Sequence, residues 1–146
     1  MRAVIFDLDH TIFATETVLR DGAKELLAIL QRLGIAVGGI SSADVRILAR
    51  LDEVGIRKHF DMVLCSDQVP VPKEVAGVQR MLYLLGAQAE DSIFVSHAHS
   101  DILLGKDAGL QRTIGVSHGK DGGTPLIEAG ADRIVGNLPA VLDVLE

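Results

Sequence analysis

The chain has 146 residues, of which 48% are hydrophobic and 23% charged, with a formal net charge of −6 and a single cysteine, Cys65. This composition predicts one globular domain over residues 1–146, and it excludes an intramolecular disulfide and a basic nucleic-acid footprint. No apolar run reaches membrane-spanning length and no signal-peptide pattern follows Met1, so we expect a cytoplasmic protein that acts away from membranes.

Short apolar runs alternate with segments of helical periodicity along the whole chain. Strands are predicted at 3–6, 35–40, 60–65, 92–95, 113–116 and 133–135. Helices are predicted at 22–33, from the Ser41-Ser42 cap to about 54, and at 73–85, 101–108, 126–129 and 138–145. Strict alternation of strand and helix predicts an α/β fold, a three-layer Rossmann-like parallel sheet with helices on both faces.

Two acidic residues directly follow the first predicted strand. Asp7 and Asp9 come at the carboxyl end of an apolar run, where a parallel sheet gathers its catalytic loops. Two carboxylates this close repel each other unless a cation or a shared proton lies between them. For an Asp-x-Asp pair taken by itself, an Asx turn followed by a helix cap is the structural alternative.

Four segments, each at the end of a predicted strand or at the start of the next helix, form an ordered set. They are Asp7-Leu8-Asp9-His10-Thr11, Ser41, Lys73 and Ser96-His97-Ala98-His99-Ser100-Asp101. In this order they resemble the four motifs of the haloacid-dehalogenase-like (HAD) hydrolase superfamily, and the resemblance extends over nearly the full chain. Segments 103–116 and 128–132 resemble its phosphoglycolate-phosphatase branch. The resemblance implies the HAD-like form of the Rossmann-like fold.

The resemblance also implies a role for each motif residue. Asp7 would attack phosphorus and become an aspartyl phosphate, and Asp9 would protonate the leaving oxygen and then deprotonate the attacking water. Ser41 and Ser42, with nearby backbone N–H groups, would bind the phosphoryl oxygens, and Lys73 would offset the crowded negative charge. The alternatives are a helix-capping role for Ser41 and a solvated first-turn position for Lys73.

The fourth motif departs from the family pattern at His97, which stands where the family usually has an Asp that ligates Mg²⁺. Mg²⁺ prefers oxygen ligands, so the expected ligands are Asp7, the carbonyl of Asp9 and Asp101, with His97 as a doubtful fourth. A softer Mn²⁺ or Zn²⁺ held partly by His97 is one alternative. The other is that His97 only occupies space, paired with Asp7 or Asp101.

The segments between the first three motifs are too short for the cap domain that family members often carry, so we expect an uncapped, open site with loop 13–20 as its flap.

The expected function is hydrolysis of a phosphate monoester in a small molecule or an accessible macromolecule, by a monomer or by a homo-oligomer in which a neighbour closes the pocket. One alternative is a catalytically degenerate HAD-fold binding or regulatory module, which His97 supports. The other is a metal-independent 2-haloacid dehalogenase, which Asp9 disfavours because halide leaves without a proton. His10 and His99 are interpreted as surface polar residues.

Overall fold

The computed structural model describes residues 2–67, 72–119 and 121–145. The strands are β1 (Ala3–Asp7), β2 (Ala36–Ile40), β3 (Met62–Leu64), β4 (Ser92–Ser96), β5 (Arg112–Val116) and β6 (Arg133–Val135). The α-helices are α1 (Ala23–Arg32), α2 (Arg46–Glu53), α3 (Val75–Leu85), α4 (His99–Asp107) and α5 (Thr124–Glu128). Short 3₁₀ turns lie at Arg57–His59, Ala89–Asp91, Asp121–Gly123 and Pro139–Val144.

The strands form one parallel sheet in the order β3-β2-β1-β4-β5-β6, which is the Rossmann-like order. β1 lies in the middle, where Phe6 pairs with Gly39 of β2 on one side and with Val95 of β4 on the other. The chain winds outward from β1 through β2 and β3, and then returns to the other side of β1 at β4. The carboxyl ends of β1 and β4 therefore border the topological switch point, where ligands bind in open α/β sheets. The predicted fold class is confirmed.

Alternate residues of β1 face two different hydrophobic clusters. Val4 and Phe6 pack with side chains of α1, α2 and the C-terminal 3₁₀ turn, whereas Ala3 and Ile5 pack with side chains of α3. All four side chains are fully buried. Because β1 is fixed on both faces, the position of its last residue, Asp7, is fixed as well.

Several predicted segments are shorter in the structure, and the helix predicted from the Ser41-Ser42 cap begins only at Arg46. The third strand covers Met62–Leu64 instead of 60–65, because it is an edge strand that pairs only with Gly38–Ile40 of β2. The last predicted helix, 138–145, is a 3₁₀ turn over Pro139–Val144.

The helix predicted over 73–85 begins at Val75, because the backbone at Glu74 is still extended, with φ −129° and ψ 166°. Lys73 therefore precedes α3 and does not belong to its first turn. Because Lys73 lies outside the helix, its side chain is not confined to the helix surface and can extend back toward the sheet.

Loop 13–20 is a short hairpin. The N–H of Ala14 donates to the carbonyl of Val18 at 2.7 Å, and the N–H of Arg20 donates to the carbonyl of Ile12 at 2.8 Å. Between Ile12 and β2 the chain contains only this hairpin and α1, and between β2 and β3 only α2 and a short turn. Neither segment holds a cap domain, as predicted. Within the described ranges, no helix is both long enough and apolar enough to cross a membrane.

Gly77, in the first turn of α3, lies against the backbone carbonyl of Pro72, the residue before Lys73. A Cβ atom at Gly77 would overlap that carbonyl oxygen. We expect Gly77→Ala to lower the free energy of unfolding by about 1–3 kcal/mol, because either α3 or the segment carrying Lys73 must move. Denaturant unfolding followed by circular dichroism measures the change.

Gly136→Ala is the matched control, because a Cβ atom there meets nothing within 4 Å. We expect the control to change the free energy of unfolding by less than about 0.5 kcal/mol. Equal stability of the two variants would contradict the packing role of Gly77.

Candidate active site

The candidate site begins with the tight loop Leu8–Ile12, which follows β1 directly. Its backbone leaves helical geometry at Asp9, with φ −71° and ψ 120°, and enters the left-handed region at His10, with φ 63°. Because the backbone turns sharply at these two residues, the buried hydroxyl group of Thr11 lies against Asp7 and donates a hydrogen bond to its Oδ2 at 2.9 Å. The loop therefore holds both Asp7 and Asp9 at the carboxyl edge of the sheet.

Asp7 is completely buried, and both of its carboxylate oxygens have partners. Lys73 Nζ lies 2.6 Å from Oδ1. On Oδ2, His97 Nδ1 lies at 3.2 Å and Ser96 Oγ at 3.3 Å, in addition to the Thr11 hydroxyl. Burial alone would raise the pKa of Asp7, but the hydrogen bond from His97, the charge and hydrogen bond of Lys73 and the hydrogen bond from Thr11 outweigh it and lower the pKa. Asp7 is thus held as a carboxylate.

Lys73 joins two carboxylates, because its Nζ also lies 3.3 Å from Oδ2 of Asp101. Burial opposes the charge of Lys73, but Asp7 and then Asp101 outweigh burial and raise its pKa. The pKa of Asp101 is raised by burial and then by the negative charge of Asp7, which exceed the opposing effects of Lys73 and Ser96. One ammonium group thus serves two buried acids, and Asp7 is the one it holds ionised.

Ser96 and His97 connect β4 to this cluster. The Ser96 hydroxyl donates to Oδ2 of Asp101 at 2.8 Å and accepts the N–H of Ala98 at 3.1 Å. The backbone N–H of His97 donates to Thr11 Oγ1 at 3.0 Å, and its Nδ1 lies 2.9 Å from the same oxygen. Since the one proton of Thr11 is given to Asp7, the network is satisfied when His97 Nδ1 carries a hydrogen.

Asp9 belongs to a neighbouring hydrogen-bonded group. The Ser41 hydroxyl donates to Oδ2 of Asp9 at 2.9 Å and accepts the N–H of Ala43 at 3.0 Å. Asp9 and Ser42 line a cavity of about 530 Å³, next to the hairpin of loop 13–20 and to α2. Asp9 therefore faces open space, whereas Asp7 does not line this cavity and is fully buried.

The structure brings Asp7, Lys73, His97 and Asp101 into one cluster, and it places Asp9, Ser41 and Ser42 beside it. Lys73 is not a solvated lysine, because its side chain is only 20% exposed and is paired with two acids. Ser41 does not cap α2, since it bonds Ala43 three residues before the helix begins.

Two histidines that were interpreted as surface residues, His10 and His99, are indeed exposed. The His10 ring also meets the His97 ring edge to face, with centroids 5.7 Å apart. Two further contributors, Thr11 and Ser96, were given no role by the sequence patterns, although both lie inside predicted motifs. Their hydroxyl groups bond residues 86 and 89 positions away in the chain, His97 and Asp7 respectively, which only tertiary structure reveals.

The side chains, as they lie, do not form a complete Mg²⁺ site. Within the described ranges, no group of three or more His, Cys, Asp or Glu side chains is placed to hold a metal ion. The oxygens of Asp7 are taken by Lys73 and by hydrogen-bond donors, and Oδ2 of Asp101 by Lys73 and Ser96. An imidazole nitrogen, that of His97, lies against Asp7, where Mg²⁺ would require oxygen. The predicted ligand set stays a prediction.

Known proteins are similar to this chain in sequence. A probable phosphoglycolate phosphatase of Pseudomonas putida is 29% identical over 128 residues, which cover 86% of this chain and 51% of that protein. A phosphoglycolate phosphatase of Pseudomonas fluorescens strain Pf0-1 is 29% identical over 133 residues, which cover 87% of this chain and 48% of that protein. The chain thus spans about half the length of the curated relatives it matches.

Solved structures share the fold. A putative β-phosphoglucomutase from Thermotoga maritima superposes with a TM-score of 0.87 at 21% identity, covering 99% of this chain and 98% of that one. A HAD phosphatase from Thermococcus onnurineus superposes with a TM-score of 0.89 at 17% identity, covering 99% and 98%. At these identities the likeness is one of fold.

A family model described as haloacid dehalogenase-like hydrolase matches residues 12–109, about two thirds of the chain. The matched range includes Ser41, Lys73, His97 and Asp101, whereas Asp7 and Asp9 lie just before it. These two acids are tied to the matched residues by the ion pair with Lys73 and the hydrogen bond with Ser41. The chain therefore belongs to the haloacid dehalogenase-like hydrolase family.

Proposed function

We propose that the protein is a phosphohydrolase that cleaves a phosphate monoester through an aspartyl phosphate on Asp7. The observation that carries this proposal is the buried, ionised Asp7 with Lys73 Nζ 2.6 Å from one of its oxygens and with Asp9 two residues on, facing an open cavity. A carboxylate is a weak nucleophile, and such positioning beside a cation is what phosphoryl transfer requires of it. The phosphoglycolate phosphatases among its relatives make 2-phosphoglycolate the first substrate to test.

In the first step a carboxylate oxygen of Asp7 bonds to phosphorus as the bond from phosphorus to the leaving oxygen breaks. Asp9, on the wall of the cavity, gives its proton to that oxygen. In the second step Asp9 takes a proton from water, whose oxygen bonds to phosphorus, and the bond from phosphorus to Asp7 breaks. Lys73 neutralises charge on the phosphoryl oxygens in both steps, and the hydroxyl of Ser41 orients Asp9.

Access of phosphorus to Asp7 requires a side-chain movement, because the Asp7 side chain is 0% exposed. His97, at 32% side-chain exposure, is the more exposed of the two ionisable side chains that cover it. We infer that binding of the phosphoryl group displaces the His97 ring or draws Lys73 outward onto the phosphoryl oxygens. Either movement exchanges a contact of Asp7 for a contact with substrate.

Asp9 and the phosphatase relatives favour phosphoryl transfer over dehalogenation, since an acid is needed only for an oxygen leaving group. The substrate class remains a phosphorylated small molecule or an accessible macromolecular phosphate, and the cytoplasm remains the predicted location.

The metal part of the proposal is that Mg²⁺ binds weakly in the wild-type protein, because His97 lies against Asp7.

Replacing the nucleophile tests the first step. Asp7→Asn should lower kcat for 2-phosphoglycolate and for p-nitrophenyl phosphate by about 10³-fold or more, because an amide does not attack phosphorus. Release of inorganic phosphate is the measurement. Asp107→Asn, on the exposed side of α4, is the matched control and should keep wild-type rates. Full turnover by Asp7→Asn would rule out the assignment.

Replacing Asp9 separates its role from that of Asp7. Asp9→Asn should slow esters with poor leaving groups, such as ethyl phosphate, by about 10²- to 10⁴-fold, because the alkoxide needs a proton. The first step with p-nitrophenyl phosphate should be slowed far less, because nitrophenolate leaves unprotonated. Single-turnover rates of alcohol and nitrophenol release give the comparison. Equal slowing of both would show that Asp9 is not the general acid.

Replacing His97 tests the metal proposal. His97→Asp should raise the affinity for Mg²⁺ roughly tenfold or more, because it adds a carboxylate beside Asp7. Isothermal titration calorimetry of the two proteins measures the affinity. His99→Asp adds the same charge two residues away on an exposed position and should leave the affinity near that of the wild type. An unchanged affinity in His97→Asp would mean that Asp101 already supplies the ligand.

A further inference from the structure

A second, smaller cavity of about 170 Å³ is lined in part by His97. Polar side chains of Arg20, His97, Ser117 and His118 line part of it, and apolar side chains that include Leu126 line the rest. None of the lining residues that the structure describes is acidic. A small cavity with a cation, two imidazoles and an apolar wall fits a small organic anion.

Arg20 supplies the permanent charge in this cavity. It is the last residue of the hairpin, and its Nη2 donates to the carbonyl of His10 at 3.2 Å. Its Nε is buried and has no hydrogen-bond partner among the described residues. A guanidinium stays charged at any physiological pH, and a buried donor without a partner costs free energy that an acceptor would recover. A carboxylate matches the guanidinium in charge and in its planar, two-pronged geometry.

One side chain, that of His97, contacts both this cavity and Asp7, the proposed nucleophile. The His97 side chain lines the cavity, and its Nδ1 lies 3.2 Å from Oδ2 of Asp7. Arg20 bonds the carbonyl of His10, which follows Asp9 in the loop Leu8–Ile12, the catalytic loop. An anion bound by Arg20 would therefore lie beside the loop that carries Asp9 and follows Asp7.

We propose that this cavity is a binding site for the carboxylate of a small organic anion, with Arg20 as its principal contact. The carboxylate has two sources that the chemistry does not separate: the substrate itself, when its leaving group is a hydroxy acid, or a free carboxylate that binds beside the site. The first source rests on the proposed function, and the second does not.

The test compares Arg20→Gln with Arg32→Gln, an exposed arginine at the end of α1 that loses the same charge. Glycolate is the binding probe, titrated into each protein and followed by the imidazole signals of the histidines in NMR spectra. Kinetics supply the second readout, as the ratio of kcat/KM for 2-phosphoglycolate to kcat/KM for ethyl phosphate. The ratio cancels any general disturbance of the catalytic loop, because both esters need that loop equally.

If the carboxylate belongs to the substrate, Arg20→Gln lowers the ratio by about ten- to a hundredfold, the range of a lost charge-assisted hydrogen bond, and Arg32→Gln leaves it unchanged. If a free carboxylate binds there, Arg20→Gln weakens glycolate binding by a similar factor while the ratio stays constant. Arg20→Lys, which keeps the charge but loses the planar fork, should fall between wild type and Arg20→Gln.

The proposal is overturned if Arg20→Gln changes neither the ester ratio nor glycolate binding relative to Arg32→Gln. The proposal is also overturned if Arg20→Gln slows hydrolysis of both esters equally and leaves glycolate binding unchanged, because Arg20 would then act only through the carbonyl of His10. Failure of the wild type to hydrolyse any phosphate ester would defeat the proposed function. The glycolate titration would still decide whether Arg20 binds a carboxylate.

Discussion

The ion pair between Lys73 and Asp7 is the interaction on which the rest of the site depends. The two groups lie 2.6 Å apart, with Asp7 wholly buried and Asp101 3.3 Å from the same ammonium. Removal of one partner from a buried pair typically costs about 3–5 kcal/mol, because the other charge stays behind without compensation. Two acids and one base leave the cluster one negative charge in excess, and the pKa of Asp101 is raised first by burial and then by the negative charge of Asp7.

The fold supplies what this pair requires. β1, between β2 and β4, carries Asp7 at its end, and the reversal of strand order at β1 brings the end of β4 alongside it. The segment before α3 carries Lys73 back over the sheet, and Gly77 permits its close approach to the helix. A buried pair of this kind contributes little net stability after desolvation. Its geometry is therefore better explained by the proposed role of Asp7 as nucleophile than by the stability of the fold.

The strand pattern predicted the sheet. The resemblance of the motifs to the HAD family, together with the short segments between them, predicted the absence of a cap and the grouping of Asp7, Lys73 and Asp101. The sheet depends on local periodicity, and the edge at which the motifs meet depends on the rule that parallel strands end together, both of which can be read along the chain. The start of α3 was missed, because Glu74 has no sequence signal that forbids a helix there.

Side-chain partners were less predictable. The family resemblance leaves two roles for His97, a doubtful metal ligand or a residue that only occupies space, paired with Asp7 or Asp101. The structure places its Nδ1 3.2 Å from Oδ2 of Asp7. The bond from Ser96 to Asp101 and the approach of Arg20 to the catalytic loop depend on which side chains meet after folding. No periodicity encodes such contacts.

The central claim, that Asp7 carries the phosphoryl group, is tested most directly by trapping the intermediate. Asp9→Asn protein is mixed with p-nitrophenyl phosphate, whose leaving group needs no acid, so the phosphoenzyme forms but lacks the base that activates water. After an acid quench, reduction with borohydride converts an aspartyl phosphate to homoserine, which peptide mass spectrometry locates. The account predicts homoserine at position 7. Nitrophenol release without homoserine at position 7, or with homoserine at another acidic residue, would contradict it.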